Sequence, residues 1–137
     1  MSHTRIVGRM IRRAQEARRS ADANLSTGLF SLACISAYQF VSLMLKARVI
    51  ERTGLEPRAK GISGLLSALG EALGRPDELA EFMEKAKGEI AFFEELYERS
   101  RAGASPCSRE EAEKAVMIAD KVVDFIEDLV ARAGPAG

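Results

Sequence analysis

Apolar residues recur along this chain at helical spacing, and no segment alternates apolar with polar over a useful length. That spacing belongs to helices that bury one face. Five helices are predicted. The first runs from about Thr4 to Leu25, with Ile6, Met10, Ala14, Ala17, Ala21 and Leu25 in one stripe. The second runs from about Leu29 to Thr53. Gly28 before it and Gly54 after it suit left-handed caps, and Pro57 prevents continuation. A short third helix spans about Ile62 to Leu73, with its leucines on one face. Its glycines cost helix stability, so packing must hold it. The fourth runs from about Asp77 to Ser100, and Leu79, Met83, Ala86, Ile90, Phe93 and Tyr97 repeat along it in steps of four and three. The fifth has the clearest start, because Ser108 and Glu111 form the pattern of a capping box. Gly134 and Pro135 end it.

Four long amphipathic helices and one short one predict an all-α domain, an antiparallel up-and-down four-helix bundle with one additional short helix. The second helix is apolar around most of its circumference. Its polar positions Ser31, Tyr38, Gln39, Ser42 and Lys46 fall on one narrow stripe, interrupted by Ile35. A helix so apolar is expected at the centre, with surface left over for a second copy of the chain. A homodimer through this helix follows. A membrane span is not expected, although no charge lies between Asp22 and Lys46. The break at Gly28 shortens the uncharged run, and its serines and Gln39 would be poorly satisfied in lipid.

Composition changes this picture little. At 137 residues, one domain spanning positions 1–137 is expected. Basic and acidic residues balance at 20 each, so net charge points to no partner. Two cysteines, Cys34 and Cys107, are too few for a disulfide scaffold. Cys34 is expected in the core and Cys107 exposed in a loop. The polar, Arg-rich start has no apolar leader, and a cytoplasmic location is expected. The distribution of charge is more telling. The first helix carries six arginines (Arg5, Arg9, Arg12, Arg13, Arg18, Arg19) against Glu16 and Asp22, a net of +4. From Asp77 to Ser100, eight acids face three bases, a net of −5. Basic and acidic helices packed side by side would explain this. The sharper alternative is a basic face offered to RNA or to an acidic partner.

The order of these features resembles the HEPN family of small helical domains. The run 28-GLFSLACISAYQFVSLMLKARVIERTGLEP-57 carries the family's glycine start and aromatic (Gly28, Phe30) and its glutamine (Gln39). It also has the Leu-Lys-Ala ending at Leu45, Lys46 and Ala47, and the Gly-x-x-Pro turn at Gly54 and Pro57. The segment 60-KGISGLLSAL-69 keeps the leucine pattern, with Lys60 where the family often has histidine. Tyr97, Ser100, Arg101 and 110-EEAEKA-115 fit the later part, with Ala102 in place of a second aromatic. The resemblance implies a commonly dimeric bundle, often encoded beside a minimal nucleotidyltransferase. Many members are toxin-like ribonucleases, and others are non-catalytic binding or scaffolding modules.

Ribonuclease members place a histidine after an arginine with four to six residues between the two. A base must take the ribose hydroxyl proton, and a cation must meet the phosphorane charge. Here Pro106, Cys107 and Ser108 follow Arg101 at those spacings, and Ala104, Ser105 and Pro106 follow Arg99. The single histidine, His3, is at the other end of the chain. No phosphate-binding glycine loop and no metal-ligand spacing is present, so neither cofactor nor metal is expected. The expectation is a non-catalytic binding module, the partner of a nucleotidyltransferase in a toxin–antitoxin-like pair, with nucleotide or RNA as ligand. The alternative is a metal-independent ribonuclease using Arg101 with an unrecognised base. Candidate ligand-binding residues are Arg101, Arg99, Lys46, Gln39 and Ser108. Arg101 could instead pair with Glu110, Glu111 or a carbonyl at the end of its own helix.

Overall fold

The computed structural model describes residues 2–135 and is all-helical, with six helices and no strand among them. They are α1 (Ser2–Ser26), α2 (Phe30–Thr53), α3 (Ile62–Leu73), α4 (Pro76–Lys85), α5 (Lys87–Ala102) and α6 (Arg109–Ala133). Both glycines predicted to be left-handed are so, Gly28 closing α1 and Gly54 closing α2 with φ of 78° and 74°. The capping box opening α6 is complete: Ser108 Oγ accepts from the Glu111 N–H at 3.0 Å, and Glu111 Oε1 accepts from the Ser108 N–H at 3.0 Å.

The predicted fourth helix is two helices. It breaks at Ala86, and Gly88 follows in the first turn of α5. Its apolar repeat crosses the break undisturbed, since Leu79, Ala86, Ile90 and Phe93 are all buried. Gly88 is the one glycine beside the break, and glycine weakens a helix.

Helix α2 is central, packing against α1, α3, α5 and α6. This narrows the apolar surface expected to remain uncovered along it. Phe40, Val41, Leu45, Ala47 and Ile50 are buried by the chain's own helices. Helix α2 is also the one described helix long and apolar enough to cross a membrane, and half of its apolar window is buried in this packing. Two forked ion pairs lock α6 in place. Arg18 of α1 grips Asp120 at 2.7 and 2.8 Å, and Arg48 of α2 grips Glu127 at 2.8 and 2.5 Å. The Arg52 guanidinium donates to the Gly134 carbonyl at the end of α6. Stacked Phe82 and Phe125 (4.0 Å between centroids) join α4 to α6, and Lys121–Glu89 (2.5 Å) joins α6 to α5.

Side-by-side packing of the basic and acidic helices is not what forms. Helix α1 lies mainly on α2, and Arg18 is its one arginine with an acid partner among the described residues. Arg5, Arg9, Arg12, Arg13 and Arg19 are exposed.

Candidate functional site

Three aromatic rings meet where α2 crosses α5. Tyr38 stacks on Tyr97 at 3.7 Å, 10° from parallel, and lies 5.5 Å from Phe93. Phe93 and Tyr97 are four residues apart, hence on one face of α5. Tyr38 is buried and Tyr97 half-buried. Burial, with the adjacent Glu94 carboxylate, pushes the Tyr38 phenol well above its ordinary value. It therefore stays a donor, and it lies 3.1 Å from both oxygens of Glu94.

Glu94 also accepts from the Ile62 N–H at 2.6 Å. It thus occupies the open N-terminus of α3, where a bound anion would otherwise find free donors. Gly61, the residue before α3, has φ of 99°, which a side chain rarely tolerates. The turn delivers the neighbouring Lys60 to the same cleft.

Two clefts flank the tyrosines and share Tyr38, Ser42, Lys46 and Tyr97. One, of about 420 Å³, is completed by Arg13, Glu16 and Ser20 of α1 with Gln39 of α2. The other, of about 360 Å³, is completed by Lys60, Glu94, Glu98 and Arg101. Together they make one groove across the molecule, carrying Arg13, Lys46, Lys60 and Arg101. A larger cleft, about 580 Å³, lies elsewhere, between α3 and the α4–α5 pair. Its floor is Leu79, Met83 and Ile90, and Glu71, Glu84 and Glu94 outnumber its one cation, Lys87. That charge is wrong for an anion.

The HEPN domain family model matches residues 7–129. The chain belongs to the HEPN family. Neither a curated protein nor a solved structure matches it significantly.

In this HEPN domain the five sequence-derived candidates separate. Lys46, Gln39 and Arg101 line the groove. Arg99 and Ser108 do not line it. The Arg99 guanidinium reaches across the loop to Glu111 at 2.6 Å, with Glu95 at 3.9 Å. Ser108 spends its hydroxyl on the α6 cap. The pairing considered for Arg101 thus belongs to Arg99, while Arg101 is exposed and held by Glu98, one turn back, at 2.7 Å. Ser31 also leaves the predicted polar stripe, its hydroxyl accepting from the Cys107 N–H at 3.1 Å.

Cys107 is buried, contrary to expectation, because the loop folds its thiol inward to 3.1 Å from Ser100 Oγ. Cys34 is buried as predicted. Burial first, and the neighbouring Cys107 thiol second, push Cys34 up to about 12. His3 lies in the first turn of α1 and lines neither half of the groove. Sequence reasoning missed Lys60, Glu94 and Arg13 as neighbours of this groove. The resemblance had marked only position 60, through the residue that replaces the usual histidine.

Proposed function

We propose that this HEPN domain is a non-catalytic binding module whose Tyr97–Lys46–Arg101 groove takes a nucleotide or the end of an RNA strand. One observation carries the reading: a parallel aromatic stack, half-open at Tyr97, with cations on both sides. A base lies on Tyr97, and the phosphate meets Lys46, with Arg101 and Lys60 beyond it. Base–aromatic stacking contributes roughly 1–3 kcal/mol per base, and charge-assisted contacts add to it. Arg101 is available, because its bond to Glu98 is exposed and worth little.

Within this reading the long helical arms act as one antiparallel four-helix bundle, α4 and α5 forming a single kinked arm and α3 the additional helix. The module works in the cytoplasm as a homodimer and as the partner of a nucleotidyltransferase, the usual neighbour of such domains. Absence of a histidine beside Arg101 is what favours binding over cleavage.

The test uses the chain's own chromophores. It has two tyrosines, Tyr38 and Tyr97, and no tryptophan, so its tyrosine emission reports from this groove. Mononucleotide titration is expected to quench that emission, with affinity falling about tenfold or more in Tyr97→Ala and in Lys46→Ala. Emission unchanged by any nucleotide would remove the groove as the site. Metal-independent RNA cleavage lost in Arg101→Ala would replace binding with catalysis.

A further inference from the structure

Helix α1 presents arginine at 5, 9, 12, 13 and 19, all exposed and none ion-paired among the described residues. At about 100° per residue these five fall within about 120° of arc, and at ~1.5 Å per residue they extend over about 21 Å. Glu16 is the one acid among them. The opposite side of α1 is spent on packing, with Val7, Ala14, Ala17 and Ala21 buried. The fold therefore leaves one helix face that carries five arginines against one acid, with none of the five ion-paired among the described residues.

This face is continuous with the groove, because Arg13 belongs to both. We propose that the arginine face of α1 is a phosphate track, along which a single-stranded polynucleotide runs into the Tyr97 groove. The identity of the groove ligand rests on the function proposed above; the track rests on the arginines alone. Its ligand is thereby a strand of several nucleotides and not a mononucleotide. A lipid surface does not fit, since Val7, Ala14, Ala17 and Ala21 are spent on packing and Ile6 is the one large apolar residue of α1 left well exposed, too little to enter a bilayer. An acidic protein would use the arginines but not the aromatic stack they lead to. A rigid duplex cannot lay an unstacked base on Tyr97, whereas a single strand can.

The experiment titrates the full chain with labelled 12-nucleotide single-stranded RNA, the same DNA sequence, a 12-base-pair RNA duplex and a mononucleotide. Poly-glutamate serves as competitor. Each is run at 50 and 200 mM salt, for the wild type and for a variant with Arg5, Arg9, Arg12 and Arg19 all changed to Gln. These positions are exposed and outside the groove, and a matching thermal melt verifies folding. A single strand contributes a salt slope of about 0.7 per phosphate neutralised. Four lost contacts lower the slope by about 3, so the weakening between the two salts becomes about fifty-fold smaller in the variant. Mononucleotide affinity stays as in the wild type. RNA and DNA arms that agree assign the track to the phosphate backbone; an RNA-only response adds the 2′-hydroxyl to the recognition.

An unchanged salt slope overturns the proposal. Binding of the duplex equal to the single strand, or displacement of RNA by poly-glutamate at equal charge, overturns it too. The two readings fail separately. A mononucleotide that does not quench the tyrosines, beside an arginine-dependent slope for the 12-mer, removes the groove and keeps the track. A quenching mononucleotide beside an arginine-independent slope does the reverse.

Discussion

The carboxylate of Glu111 accepts from Arg99 on one side and from the Ser108 N–H on the other. Those two donors, Arg99 first, hold the Glu111 carboxyl below its ordinary value. The folded chain therefore keeps this group ionised to lower pH than the unfolded chain does. Its contribution to stability is complete above the unfolded value and is lost as pH falls through the lower, folded value. Glu111→Gln is expected to lower the urea midpoint at pH 7, and the gap from wild type should close as pH is taken toward 3. A gap constant across that series would show that the charge on Glu111 is not what stabilises the loop. The cap itself was legible in the sequence, since Ser108 and Glu111 are three residues apart and the box is local. Which arginine would meet Glu111 was not. Arg99 and Arg101 point about 200° apart around α5, and only the course of the loop decides which faces α6.

Two helical glycines give opposite expectations at the scale of elements. Gly88, in the first turn of α5, has open space where a Cβ would stand and no positive φ. Gly88→Ala should stabilise the chain by about 0.5 kcal/mol, through helix propensity and a less flexible unfolded state. At Gly70 a Cβ would stand 3.1 Å and 3.2 Å from Leu79 Cβ and Cγ, and 3.3 Å from Pro76 Cα. Pro76 is the first residue of α4 and Leu79 is fully buried, so neither gives way easily. Gly70→Ala should destabilise by about 1–3 kcal/mol, and paired denaturation curves check both signs. Had Gly88→Ala destabilised, the kink at Ala86 would be a conformation the core requires. Helix boundaries were readable because caps and prolines are local signals. The kink was not, since the apolar repeat continues through Ala86 in phase. Gly88 was the only hint, and a single glycine inside a helical pattern is weak evidence of a break.

For the whole molecule, the question is what becomes of the apolar excess on α2. The sequence shows how much of that helix is apolar but not how many neighbours it will have. Four helices surround it, so most of the surface expected to hold a second copy is already occupied. What stays open is its beginning, where Leu29 and Leu32 are 49% and 50% exposed. We propose that the homodimer forms there, with the two-fold axis near the start of α2. This placement leaves the groove at Tyr38, Gln39 and Lys46 free for a strand, whereas pairing along the full helix would cover it. Leucines at half exposure bury little area by themselves, and a stable interface removes roughly 800 Å² per partner. The contact must therefore extend onto the adjoining loops, and its affinity should be moderate. Light scattering after size exclusion should give twice 14.9 kDa at tens of micromolar, falling toward one chain on dilution. Leu32→Asp should shift the wild-type mixture to monomer while leaving the thermal midpoint of the monomer nearly unchanged, because Leu32 adds little to the core. A strictly monomeric mass at every concentration would refute the dimer. A dimer indifferent to Leu32→Asp would move its interface away from α2, with Met117 of α6, 60% exposed, the next apolar position to change.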